Sequence, residues 1–335
     1  MRIKFITTSL APKGPTRQLS YLTRLNADQD VTFSVNSIRR PRASDWQHLF
    51  DETRLDLVFG WRSVLSIRDA DVNHTSGLVP DLLGWFLSYF RPWVVTVRNY
   101  PHDDYPPKFG KIVGKLLAFT HFQILKRCKN LVFCSYDLKK KFNEAGISGS
   151  CIENASLEFF GDPSRFAKQL LYCGSLIERK NIRAMAELYC ESALLCEIEF
   201  LVFGQGQKSS ELPTNRKVIR AGFESDISKI HSRPRIFISL SKSEGMPNAA
   251  LEALAAGCIL ILSDIPSHQR LASIFPELIM LVSLDGIDID VFDHTLNNIL
   301  VEYHSLDWQN IQNKYNSCYG IPRMKAEYLA IYNEI

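Results

Sequence analysis

The chain has 335 residues, of which 46% are hydrophobic and 22% charged, and its formal net charge is +3. That length is too great for one core of ordinary size, so two domains are expected, and the composition excludes a disordered or fibrous chain. No apolar run approaches a membrane span and the N-terminus opens into a strand without signal-peptide architecture, so a cytoplasmic location is expected.

The charge is unevenly shared. Residues 1–165 hold 23 Lys and Arg against 16 Asp and Glu, whereas the remainder holds 16 against 20. A basic first half predicts an anionic partner such as phosphorylated lipid, a membrane surface or nucleic acid. No nucleic-acid motif is present, and the basic residues are spread over many elements, which argues against nucleic acid. The eight cysteines form no C-x-x-C pair and read as small buried hydrophobes of a reducing compartment.

In chain order, apolar runs predict strands at Ile3 to Thr7, Val31 to Val35, Leu55 to Phe59, Trp93 to Val97 and Leu131 to Cys134. The loop Ala11-Pro12-Lys13-Gly14 follows the first strand and reads as a surface turn or, through Gly14, a close approach to a substrate. Arg98, Asn99, His102, Asp103 and Asp104 crowd after the Trp93 strand, where burying them without purpose would be costly. Residues 108–127 read as one amphipathic helix with lysines beside apolar positions, either a core helix or one lying on an anionic bilayer. The polar stretch Glu158 to Lys168 reads as a linker.

A second series of strands is predicted at Leu170 to Cys173, Glu199 to Phe203, Lys217 to Arg220, Arg235 to Ser239, Ile259 to Ser263 and Leu278 to Val282. Two successive strand–helix series predict two doubly wound parallel sheets. In such sheets ligands bind at the carboxyl ends of strands. Gly174 stands at one such end, with Arg179 and Lys180 following, a pair able to neutralise a diphosphate or simply a surface basic pair. Gly204-Gln205-Gly206 ends another strand. It is a weak dinucleotide fingerprint, since Ser209 takes the third glycine position and no helical pattern follows.

The most informative segment runs from Ser243 to Gly257. Gly245 and Pro247 break regular structure, and strong helix formers follow from Asn248, so Glu244 sits in a loop at a helix N-terminus and Glu252 rides on the helix. The helix end suits an anion such as a diphosphate, and the two carboxylates suit neutral hydroxyls. A nucleotide-sugar has both parts. The plainer reading is a surface loop followed by a core helix with a solvated Glu; Glu244, as a loop residue, is expected to pack little.

These segments together resemble the retaining GT-B glycosyltransferases of family 4. The resemblance lies in Glu244 and Glu252 (E-x7-E), in Gly174, Leu176 and Lys180 (G-x-L-x-x-x-K), in Gly204-Gln205-Gly206, in Gly222-Phe223 and in Ile152-Glu153-Asn154-Ala155. In the first half, Asp71 to Gly77, Pro80 to Leu83 and Arg98 to Pro101 resemble a bacterial branch acting in surface-polysaccharide synthesis. The resemblance implies an α/β GT-B fold, with a Rossmann-like acceptor domain over 1–160, a Rossmann-like donor domain over 161–318 and a final helix over 319–335 packing back on the first domain. It implies that Arg179 and Lys180 hold the donor diphosphate, that Glu244 binds donor-sugar hydroxyls, and that Glu252 binds the ribose. Backbone around Gly245, Met246, Pro247, Asn248 and Ala249 would cap phosphates and sugar, Gly174 and Gly204 would approach the nucleotide, Phe223 would lie beside the base, and Gly14 would face the donor. The implied substrates are a UDP- or GDP-linked sugar and a glycan or lipid-linked acceptor of lipopolysaccharide, capsule or exopolysaccharide, with no metal and no further cofactor. Two positions depart from the family pattern. Ser175 stands where many members have Arg, and Arg98, taken with Glu244, Arg179 and Lys180 as the catalytic set, stands at a sugar-facing position where many have His, which leaves open a degenerate binding or scaffold protein. A dinucleotide-dependent oxidoreductase rests on Gly204-Gln205-Gly206 alone.

Overall fold

Short β-branched and apolar runs between polar loops build two parallel sheets. The computed structural model describes residues 1–11, 14–24, 31–40, 50, 56–60, 70–224 and 226–335, and of Arg24 and Asp56 only the backbone. Pro12 and Lys13 of the first loop and Leu55 of the third expected strand lie outside these residues. The chain divides into two units, residues 1–155 with 321–335, and residues 156–320.

In the first unit the described strands are β1 (Arg2–Thr7), β2 (Thr32–Ser37), β3 (Asp56–Phe59), β4 (Val72–Ser76), β5 (Trp93–Val97), β6 (Asn130–Phe133) and β7 (Ser150–Cys151). They pair in parallel in the order β3-β2-β1-β4-β5-β6-β7. The described helices are α1 (Gly14–Arg24), α2 (Leu78–Leu87), α3 (Pro101–Phe109), α4 (Lys111–Leu125) and α5 (Tyr136–Glu144). In the second unit the strands are β8 (Leu170–Cys173), β9 (Phe200–Phe203), β10 (Val218–Gly222), β11 (Ile236–Ser239), β12 (Ile259–Ser263) and β13 (Ile279–Val282), in the parallel order β10-β9-β8-β11-β12-β13. Its helices are α6 (Ile182–Glu191), α7 (Ile227–Ile230), α8 (Asn248–Ala255), α9 (Pro266–Ile274), α10 (Ile289–Glu302) and α11 (Trp308–Tyr319), and the last helix of the chain, α12 (Ile321–Asn333), belongs to the first unit. The expected pair of doubly wound sheets is therefore present. In each the strand order reverses once, between β1 and β4 and between β8 and β11, the place where such sheets open a crevice.

The core of the second unit is assembled from β8, β11 and β12, whose apolar residues are almost all fully buried, and from the inner face of α8. The final helix is tied to the first unit by Tyr332 and Tyr328, whose hydroxyls lie 2.6 Å from His74 Nδ1 and 2.8 Å from Thr96 Oγ1.

Three expectations need correction. The run 108–127 is not one helix, because Gly110, at φ 83°, separates α3 from α4 and leaves Lys108 on the former. His102 and Asp103 of the polar cluster lie solvent-facing on α3, as an ordinary surface histidine would, and Asp103 pairs with Lys141 and Asp104 with Lys108. The stretch 158–168 is not a free linker. Phe159 packs near Trp308 and Tyr315, and the amides of Phe160 and Gly161 donate to Ala255 O at 2.9 and 3.1 Å. The cysteines, all free, are not uniformly buried, since Cys190 is exposed. Among the described residues, no helix is long and apolar enough to cross a membrane.

Candidate functional site

The two strands flanking the second unit's reversal point each carry a charged loop at their carboxyl ends. After β8, the chain turns through Gly174 and Ser175 into a single 3-10 turn, Glu178–Lys180. Asn181 follows in the left-handed region (φ 53°), which Asn tolerates better than most residues, and starts α6. After β11, residues 241–247 lead to α8, with Pro247 as its N-cap.

These loops meet through Glu244. Its carboxylate accepts from Lys180 Nζ at 2.5 Å, from Arg179 Nη1 at 2.8 Å and from Ser241 Oγ at 2.8 Å, and Arg179 also donates to Ser243 O. The Glu244 side chain is only 7% exposed, against 16% for Lys180 and 43% for Arg179. The expectation that Glu244 packs little is thus overturned. Burial by itself would raise its carboxyl pKa, but the neighbouring Lys180 and Arg179 charges outweigh it and hold the group down at about 2.

The glycines explain how the loops come so close. A Cβ on Gly204 would lie 1.9 Å from Gly174 O, and one on Gly206 would lie 2.1 Å from Leu176 O. Backbone bonds stitch the same segments together, Gly174 N to Phe203 O, Leu176 N to Gln205 O and Lys208 N to Leu176 O. Gly204 and Gly206 therefore let two loops pack backbone to backbone beneath Arg179 and Lys180, which accounts for the G-x-G without a dinucleotide. Phe223, beside Gly222 (φ 75°), is 58% exposed and free to stack on a planar ring.

Glu252 is placed on α8 as expected but is 3% exposed. Pro247 has no N–H, and the amide of Asn248 donates to Met246 O at 3.0 Å, so amide capping by this segment falls mainly to Gly245, Met246 and Ala249. Ser175 accepts from Tyr172 Oη at 2.9 Å through its carbonyl, a turn-forming contact rather than a charged one. In the first unit, Gly14 begins α1 and Arg98 follows β5, its Nε donating to Ser76 Oγ at 3.3 Å.

Sequence reasoning missed the support beneath Glu244. Ser263 Oγ donates to Ser241 O at 2.6 Å and lies 3.1 Å from His268 Nδ1, while Ser241 Oγ holds Glu244. Burial pushes His268 down to about 4, so it is neutral at pH 7. The available signal was that serines recur at the ends of the two buried strands, at Ser239, Ser241 and Ser263. His74 was also missed as a buried hub between Tyr332 and Thr96.

Residues 167–274 match the family model described as glycosyl transferases group 1. The chain is 24% identical over 238 residues to a GDP-mannose:cellobiosyl-diphosphopolyprenol alpha-mannosyltransferase of Xanthomonas campestris, a match covering 62% of this chain and 60% of that relative. Its fold is similar to that of HepE from Anabaena, solved in complex with UDP-glucose, with a TM-score of 0.78, 12% identity and full coverage of both chains. It is also similar to the apo form of the lipopolysaccharide outer core galactosyltransferase WaaB, with a TM-score of 0.63, 16% identity and full coverage of both. The fold is GT-B, and the family match supports a glycosyltransferase.

Proposed function

We propose that this chain is a retaining, metal-independent glycosyltransferase of family 4 that moves a sugar from a UDP- or GDP-linked donor to a glycan or lipid-linked acceptor in lipopolysaccharide, capsule or exopolysaccharide synthesis. The observation that carries this reading is the Lys180–Glu244–Arg179 cluster at the crevice of the second sheet, directly before the N-terminus of α8. A donor diphosphate placed there meets two cations and the positive end of a helix. As the bond from the anomeric carbon to the diphosphate oxygen breaks, the growing negative charge is stabilised by groups already in position. Attack on the same face by the acceptor hydroxyl forms the new glycosidic bond, and its proton passes to the departing phosphate oxygen. When the phosphates draw the two cations away, Glu244 is left with lone pairs for donor-sugar hydroxyls, and Glu252 on α8 is assigned the ribose. The relative's GDP-mannose and the neighbour's UDP-glucose support a nucleotide-sugar donor.

A thermal-shift panel of UDP-, GDP- and ADP-sugars tests this, because a ligand that binds the folded state raises the melting temperature. One nucleotide series should stabilise the protein selectively. No stabilisation by any of them would remove the donor site.

The same reading includes peripheral contact with the cytoplasmic membrane face. On α4, Ile112 (86% exposed), Val113, Leu116 and Phe119 face outward, and Phe86, Tyr89 and Phe90 do so at the end of α2. Lys108, Lys111, Lys115, Lys126 and Arg127 are exposed around them. Such contiguous apolar surface is unusual for a protein that stays in water, and each cation near an anionic bilayer contributes about 1 kcal/mol. Salt-sensitive co-sedimentation with anionic vesicles, and little with neutral ones, is expected. Equal binding to both vesicle types, or binding unchanged by salt, would rule the contact out.

A further inference from the structure

The first unit's own reversal point opens a cavity of about 280 Å³ at the carboxyl ends of β1, β4 and β5. That is near the lower end of the roughly 300–1,000 Å³ typical of small-molecule sites. Its wall is rich in hydroxyls and amides, among them Thr7, Thr8, Ser9, Ser76 and Asn99, and Arg98 opens onto it.

Among the described residues, the charges around this cavity do not balance. Asp81, which lines it, is saturated, accepting from Thr75 Oγ1 at 2.6 Å and Gly77 N at 3.1 Å and lying 2.8 Å from His121 Nε2. Asp104 is taken by Lys108 at 2.6 Å. His74 is held neutral, pushed down to about 3 by burial and by the Arg98 charge. Arg98 itself has five N–H donors but only the 3.3 Å contact from Nε to Ser76, and among the described residues no carboxylate pairs with it. A guanidinium held in a polar cavity with no counter-charge among the described residues fits a ligand that brings one, and its planar fork matches a carboxylate or phosphate.

We propose that Arg98 makes this cavity a recognition site for an anionic oxygen group, a carboxylate or phosphate carried by the sugar that the first unit binds. That the ligand is a glycosyl substrate rests on the transferase reading, whereas the preference for an anion does not. The full-length protein is titrated with methyl glucuronide, glucose 1-phosphate and methyl glucoside, as wild type, Arg98→Gln and Arg98→Lys. Wild type should bind at least one acidic sugar about tenfold or more tightly than the neutral one. Whichever acidic sugar leads identifies carboxylate or phosphate. Arg98→Gln should erase the preference at unchanged melting temperature, and Arg98→Lys should keep part of it. Repeating the titrations in a Lys180→Ala/Arg179→Ala chain separates this site from the second unit's cations, and UDP binding measured alongside reports on the transferase reading independently. Equal affinity for acidic and neutral sugars in wild type, no binding of either acidic sugar, or a preference that survives Arg98→Gln would each overturn the proposal.

Discussion

Replacing Glu244 by Gln is expected to lower sugar transfer by about 10- to 100-fold, the range for loss of a charge-assisted hydrogen bond to the donor sugar. Affinity for the nucleoside diphosphate should stay level or rise, because Lys180 and Arg179 lose the carboxylate that now occupies them. The melting temperature should fall as well, since a 7% exposed carboxylate with three partners is part of the packing of both loops. Its pH dependence has a definite sign. The folded-state pKa is depressed, so the ion pairs stabilise the protein above the ordinary carboxyl value of 4.5 and lose that effect as pH falls toward about 2. Wild type should therefore lose more stability than Glu244→Gln over that window. Transfer assays, diphosphate titrations and melting curves across pH check the three parts, and wild-type turnover in the variant would sink the assignment of Glu244.

How much of this was legible in the sequence depended on whether a residue's role is local. Trp93–Val97 and Ile259–Ser263 are uniformly buried apolar strands, and both their positions and their limits could be read directly. Val72–Ser76 could not, because its inner positions are Asn73, His74 and Thr75, which give no apolar run. They tolerate burial through partners distant in sequence, Tyr332 and Thr96 for His74 and Asp81 for Thr75. In the same way, the break at Gly110 was hidden by apolar residues that continue the helical period on both sides of it.

The candidate site shows the same division. Glu244, Arg179 and Lys180 were identifiable from residue type and spacing. That Glu244 is the partner of both cations was not, because the pairing spans about 64 residues and is set by the strand order β8-β11. The serines and His268 beneath it carry no motif, and Gly204 resembled a ligand turn until the backbone it rests on was known.

Neutralising the two cations together, Lys180→Ala with Arg179→Ala, should produce the largest loss of donor binding. Lys180 is the more enclosed of the two, so its single replacement should weaken UDP or GDP binding by about 10- to 100-fold, and that of exposed Arg179 by less. The two effects should not add, since both side chains share Glu244. The free nucleoside, which has no phosphate, should bind nearly as before. The double variant also reverses the pH behaviour of the fold. With both counter-charges gone, burial outweighs the one remaining hydrogen bond, from Ser241 Oγ, and raises the Glu244 pKa above the unfolded value, so the folded state takes up a proton more readily. Its melting temperature should then increase as pH falls from 7 toward 5, a range in which wild-type Glu244 stays ionised and contributes no such trend. Calorimetric titration with diphosphate and nucleoside, and melting curves at the two pH values, test both halves. Normal diphosphate affinity in the double variant would place the phosphate site elsewhere, and an unchanged pH trend would mean that Glu244 is less buried than its 7% exposure indicates.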